Sequence, residues 1–84
     1  LPAHLKRHAV AVEVRVDELH GTVDGKAVLT AYWWLRRNGD ILAAYQFSET
    51  KALGSDGYQA VVIAERALLE QLAQRIAGSM ILPD

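Results

Sequence analysis

There is no cysteine in this 84-residue chain, which excludes a disulfide framework, a zinc-thiolate centre and a thiol nucleophile. Charge of one sign is lacking too. Nine Lys and Arg stand against ten Asp and Glu for a formal net charge of −1, so no basic field exists to hold a polyphosphate and nucleic acid is not expected as a partner. No apolar run approaches the roughly 20 residues of a membrane span, and the opening LPAHLKRH has no apolar stretch of the signal-peptide kind. Repeats, low-complexity tracts and linkers are absent, so residues 1–84 read as a single domain. What is present is an ordinary globular mixture, 51% hydrophobic and 23% charged, which argues against disorder. A chain this short hides only about 60% of the surface its unfolded form exposes, so its core is small.

From His8 to Leu19 the stretch HAVAVEVRVDEL alternates strictly. Val10, Val12, Val14 and Val16 point one way, while Ala11, Glu13, Arg15 and Asp17 point the other, the signature of a half-buried strand. Gly21 and the Asp24-Gly25 pair signal a hairpin before a second run, Ala27 to Arg36, and Arg37-Asn38-Gly39 introduces a third, Asp40 to Glu49. The three runs predict an antiparallel meander.

The second run places Trp33 beside Trp34. Side chains alternate along a strand, so only one tryptophan can enter the core, and the hairpin register decides which. A two-residue Asn38-Gly39 turn sets Arg36 opposite Ile41 and mixes Arg36 with Trp34, Ala43, Tyr32, Tyr45, Thr30 and Phe47. A three-residue loop, Arg37-Asn38-Gly39 with Gly39 in a bulge, sets Arg36 opposite Asp40. It gathers Leu29, Ala31, Trp33, Leu35, Ile41, Ala43, Tyr45 and Phe47 on one face and Thr30, Tyr32, Trp34, Arg36, Leu42, Gln46 and Ser48 on the other. The second sorting is cleaner by polarity, so the three-residue loop is the expectation, with Trp33 in the core.

The remainder predicts a helix over Gly57 to Ala77, with Asp56 as N-cap, Gln59 completing a capping box and Gly78 as the stop. Tyr58, Val61, Val62, Leu68, Leu69, Leu72, Ala73 and Ile76 supply its apolar spacing. At 1.5 Å per residue it is roughly 30 Å long, enough to lie across three strands, and it is expected to cover the face carrying the valines, Trp33 and Phe47. The fold class is therefore α+β, a three-stranded antiparallel meander followed by one long C-terminal helix packed on one sheet face. The opposite face, with Glu13, Arg15, Asp17, Tyr32, Trp34, Arg36 and Leu42, is left open. Two readings of it stand: a solvated face on which the aromatics lean on Arg15 and Arg36, or a contact surface, since aromatics and arginine are enriched at interfaces. On the second reading the interface candidates are Arg15, Tyr32, Trp34, Arg36 and Leu42.

Catalytic chemistry finds little footing. His4 and His8 have helical ligand spacing, but Pro2 and the strand that follows argue against a helix there. Ser48, Ser55 and Ser79 have no nucleophile elbow around them. Glu13 and Asp17 alternating with Arg15 read as a cross-strand ion-pair ladder. Tyr32 and Trp34 near Arg36 resemble a base-stacking platform, yet Glu13 and Asp17 share that surface. No enzyme activity, cofactor or metal is expected. A lipid cavity of several hundred cubic ångströms is not expected either, because Trp33, Phe47 and Tyr58 should fill the space under one helix.

In order and spacing, VLTAYWWL, an Asn-Gly turn, ILAAYQFSET and then GSDGYQAVVIAERALLEQLAQRIAGSM resemble the C-terminal part of the ABC-type transport auxiliary lipoprotein component family. The most specific pieces are Leu29, Ala31, Trp33 and Leu35, then Phe47-Ser48, then Asp56-Gly57-Tyr58 opening a helix that ends in Leu72 and Ile76-Ala77. The resemblance implies a periplasmic lipoprotein of Gram-negative bacteria, anchored in the outer membrane through a lipidated N-terminal cysteine that lies outside this sequence. It further implies an auxiliary or docking role in intermembrane lipid transport driven by a permease and mammalian-cell-entry-type (MCE) proteins. Its expected partners are further copies in a homo-oligomer and the membrane-bridging proteins of the same system, with membrane contact only through the anchor. The chain is then the C-terminal part of a longer protein, with an N-terminal strand and helix preceding Leu1. A competing reading is a monomeric module that binds an extended peptide along an exposed sheet edge.

Overall fold

The computed structural model describes residues 10–80; His4 and His8 lie outside the described residues. Three strands, β1 (Ala11–Gly21), β2 (Lys26–Arg37) and β3 (Asp40–Ala52), precede one helix, α1 (Tyr58–Ser79). The strands form an antiparallel sheet in the order β1-β2-β3, so the chain is α+β with a meander and a C-terminal helix on one face.

β2 is the central strand and the core is built on it. Ala27, Leu29, Ala31, Trp33 and Leu35 are all buried, alternating with half-buried Val28, Thr30, Tyr32, Trp34 and Arg36. Phe47 of β3 and Ala64, Leu68 and Leu72 of α1 complete the cluster. The Thr22–Gly25 turn joins β1 to β2 with Gly25 at φ 85, and the Thr22 hydroxyl donates to the Asp24 carboxylate. That donor is the main reason why the Asp24 carboxyl is held below its ordinary range.

The second hairpin corrects the expected turn. Arg37 pairs with Asp40 and Arg36 with Ile41, so the loop is the two-residue Asn38-Gly39, with φ 53 and φ 83 as a primed turn requires. The register then shifts: Leu35 faces Ala43, and Leu42 is an extra residue in β3. The bulge undoes the parity change that the shorter loop introduces. Trp33, Ala31, Tyr45 and Phe47 consequently lie on the helix side, as expected, but Trp33 faces Tyr45 and Ala31 faces Phe47, two residues along from the partners that the three-residue loop implied, and Ile41 goes to the other face beside Arg36 and is exposed. β1 carries its own irregularity, with Val16 opposite Ala31 and Glu18 opposite Thr30, leaving Asp17 as the extra residue.

The helix also differs from expectation in its ends and its buried stripe. Gly57, at φ 104, occupies the N-cap without a side-chain capping bond, so Asp56 does not cap and no capping box forms. α1 continues through Gly78 to Ser79. The buried line is Ala60, Ala64, Leu68 and Leu72, one residue per four, with Ile76 half-buried beyond it. Tyr58 is 81% exposed and Leu69 is 40% exposed, so neither fills the core.

The extra helical turn has a structural use. The Trp33 indole N–H donates to the Ser79 hydroxyl at 2.9 Å, and that hydroxyl donates to the Ile76 carbonyl at 2.7 Å. A buried tryptophan needs such a partner, and only a helix extending past Gly78 brings one within reach. Trp33 also stacks on Tyr45 at 5.2 Å between ring centroids.

Candidate assembly surfaces

The open sheet face brings four of the five interface candidates together. Glu13 lies opposite Trp34 and Arg15 opposite Tyr32, with the Arg15 guanidinium 5.2 Å above the Tyr32 ring, a cation–π distance. Arg36 Nε approaches Glu13 Oε1 to 2.8 Å, an ion-pair contact without the angle of a straight hydrogen bond. Arg15 Nε sits 3.4 Å from Asp17. Trp34 and Tyr32 remain half-buried, with charged Glu13 and Arg15 opposite them on β1 and neutral Ala44 and Gln46 opposite them on β3. Exposed ion pairs of this kind contribute little stability themselves. Leu42, the bulge residue of β3, is 44% exposed and adjoins the Arg36 end, two strands away from Arg15.

A second surface was not anticipated. α1 follows β2: Val61 packs against the position of Gly21 at one end, where an added Cβ would meet it at 3.4 Å, and Ser79 reaches Trp33 at the other. On its β3 side the helix sends Arg75 over the Phe47 ring at 5.8 Å and to within 4.0 Å of Glu49. It therefore leaves Val14 and Val16 of β1 uncovered, whereas Val10 and Val12 pack half-buried against the core. Val14 is 48% exposed and Val16 47%, although both lie on the helix side of the sheet, opposite Trp33 and Ala31. With 3.6 residues per turn, Tyr58, Val62, Glu65, Leu69 and Ile76 fall on the flank that Val61 marks as turned toward β1. A largely apolar trough, with Glu65 at the middle of its helix wall, thus runs between β1 and the helix. The sequence carried one signal for it: the apolar residues of α1 extend around more than one side.

A shallow apolar dent of about 120 Å³ lies on the other flank, lined by Lys51, Ala52, Gly54, Ser55, Ala60 and Ile63 among others. It falls well short of the several hundred cubic ångströms of a small-molecule or lipid site. No helix among the described residues is long and apolar enough to cross a membrane.

Comparison with known proteins agrees with this architecture. No curated protein matches the chain. A crystal structure of an uncharacterized protein is similar at a TM-score of 0.64 and 24% identity, over 77% of this chain and 42% of that one. At that identity the likeness concerns the fold, and the chain spans less than half the length of that protein. The family model described as ABC-type transport auxiliary lipoprotein component matches residues 2–77, which takes in all three strands and the helix as far as Ala77, including Trp33, Phe47 and Tyr58 in their order. The chain therefore belongs to the ABC-type transport auxiliary lipoprotein component family.

Proposed function

We propose that this domain is a periplasmic auxiliary and docking component of an MCE-linked ABC-type system for intermembrane lipid transport, and that it works through protein-protein assembly. The family is one of envelope-associated lipoproteins with a transport-auxiliary role. The finer reading rests on one observation: a domain of 84 residues presents an aromatic-arginine patch on its open sheet face, with Tyr32 and Trp34 half-buried between Arg15 and Arg36. Such a patch is suited to another polypeptide. The partners on this reading are further copies of the protein and the membrane-bridging proteins of the system. The membrane itself is met through a lipid anchor that precedes the sequence, in the outer membrane.

Trp34→Ala and Tyr32→Ala test the reading. Both side chains are only half-buried, so each replacement should leave the thermal midpoint within a few degrees while lowering the mass measured by light scattering, or abolishing capture of the bridging protein. Unchanged mass and unchanged capture in both variants would remove this face from the assembly. The competing peptide-binding reading draws on the 11-residue β1, which lies at the sheet edge. It expects slowed hydrogen exchange of β1 amides when an extended peptide is titrated in.

A further inference from the structure

We infer that Asn38 is a self-modifying site: the Gly39 backbone nitrogen attacks the Asn38 side-chain amide, and the residue converts spontaneously to a mixture of aspartate and isoaspartate. The bond from the Gly39 nitrogen to Asn38 Cγ forms as the bond from Cγ to Nδ2 breaks, and ammonia leaves carrying the proton of the Gly39 amide. Water then opens the cyclic imide at one of its two carbonyls. One opening gives aspartate; the other gives isoaspartate, whose main chain runs through the former side chain. Water is the sole co-reactant, and no partner protein is involved.

Three places in the chain set a side-chain carbonyl of this length before a glycine: Asp24-Gly25, Asn38-Gly39 and Asp56-Gly57. The fold separates them. In the first hairpin both reacting groups are occupied. The Gly25 N–H donates to the Thr22 carbonyl at 3.3 Å, and the Asp24 carboxylate accepts from the Thr22 hydroxyl, which favours its ionised form. An ionised carboxylate is a poor electrophile. In the second hairpin neither obstacle exists. Asn38, the one asparagine of the chain, offers an uncharged amide with ammonia as leaving group, and the Gly39 N–H has no backbone acceptor among the described residues. Both residues are exposed, and an atom added on the Gly39 Cα would meet nothing within 4 Å, so the ring has room. Asp56-Gly57 is as open but presents a carboxylate. Asn38 rests in the left-handed well at φ 53, and ring closure needs its carbonyl turned out of the turn setting. The step therefore passes through brief openings of the loop, beyond Arg37 and Asp40, the last pair of the hairpin. The products differ in what they do to the turn. Aspartate suits it, because Asp-Gly is also favoured in a primed turn. Isoaspartate lengthens the main chain inside a two-residue loop and works against the pairing of Arg37 with Asp40.

Ageing the protein in warm, mildly alkaline buffer tests this, with peptide mass mapping to follow amide loss and enzymatic carboxyl methylation to follow isoaspartate. Asn38 should lose its amide at a rate that rises in proportion to hydroxide concentration, several times faster than isoaspartate appears at Asp24 or Asp56. The reaction adds a negative charge to a chain of formal net charge −1, so anion exchange should resolve two more acidic species. One should match Asn38→Asp in elution and thermal midpoint; the other, which accepts methyl groups, should melt lower. Asp24→Asn places an Asn-Gly pair in the first hairpin, where the tied Gly25 N–H should slow amide loss several-fold relative to Asn38. In urea, with both turns open, that difference should vanish. Retention of the Asn38 amide throughout would overturn the inference. Amide loss in the folded Asp24→Asn variant as fast at the first hairpin as at Asn38, or a difference that persists in urea, would overturn its basis in the fold. Equal midpoints for the two acidic species would overturn the distinction between a product that keeps the turn and one that breaks it.

Discussion

Replacing Trp33 with alanine should cost about 3–5 kcal/mol, whereas the same change at its neighbour Trp34 should cost roughly 1 kcal/mol. The two residues differ by one position in sequence and by a whole layer in space. Trp33 is 3% exposed, stacks on Tyr45 and ties its indole N–H to Ser79. Its removal leaves a cavity at the centre of the sheet and releases the last turn of α1. A domain of this length has a total stability of about 4–13 kcal/mol at the usual 0.05–0.15 kcal/mol per residue, so the loss is comparable with the whole margin. Urea unfolding of both variants, followed by far-ultraviolet circular dichroism, measures the difference. Equal shifts in the two midpoints would mean that the tryptophans share the burial and that the sheet is in the other register. Trp33→Phe, which retains most of the volume but not the donor, should lose about 1 kcal/mol, and less if the Ser79 hydroxyl finds water.

Phe47→Ala is expected to be about as damaging, for a different reason. Phe47 is the one residue of β3 in the buried cluster, 2% exposed, opposite Ala31 and under Arg75. Its cross-strand partner is a methyl group and cannot expand into the space, so the cavity should persist and the loss should lie at about 3–5 kcal/mol. For a domain of this size each kcal/mol moves the thermal midpoint by about 4–8 °C, so a fall of at least roughly 12 °C is expected by calorimetry. Phe47→Leu should recover more than half of it. A fall of only a few degrees for the alanine variant would show that α1 settles onto β3, and that packing there is softer than the burial of Ala60 and Ala64 suggests.

The elements and their order were legible because their signals are local: strict alternation in β1, an Asn-Gly turn, and a C-terminal run free of proline. The burial of Trp33 was legible for a compound reason. The three-residue loop placed it on the correct face, but the molecule reaches that face through a two-residue turn and a bulge at Leu42. Polarity sorting constrains the parity of a strand, and parity does not distinguish one long loop from a short loop with a bulge. The N-cap escaped because Gly57 takes a positive φ and starts the helix one residue later, leaving Asp56 without a backbone donor to accept from. Tyr58, Leu69 and Ala73 were placed in the core by spacing, yet the helix rests on alanines. Ala60 and Ala64 let its backbone approach the sheet, and that tilts the larger residues toward β1. The grouping of Arg15, Tyr32, Trp34 and Arg36 followed from alternation alone. The apolar trough on the other face depends on where the helix sits laterally, which periodicity does not encode.

The two bulges give the sheet a reading frame of its own. In β3 the inside and outside of the protein are assigned by counting from Asn38-Gly39, and Leu42 is the residue that sets the count; in β1 Asp17 has that role. Its identity matters less than its staying out of the ladder. Descendants of this sequence are thus free to exchange Leu42 for many residues or to delete it, since without it Ala43, Tyr45 and Phe47 keep Leu35, Trp33 and Ala31 as partners; pairing Leu42 with Leu35 instead would make Tyr45 and Phe47 change places with Ala44 and Gln46. Variation among related chains should therefore be rich in substitutions at these two positions, and a shortening between Arg36 and Ala43 should fall on Leu42 itself.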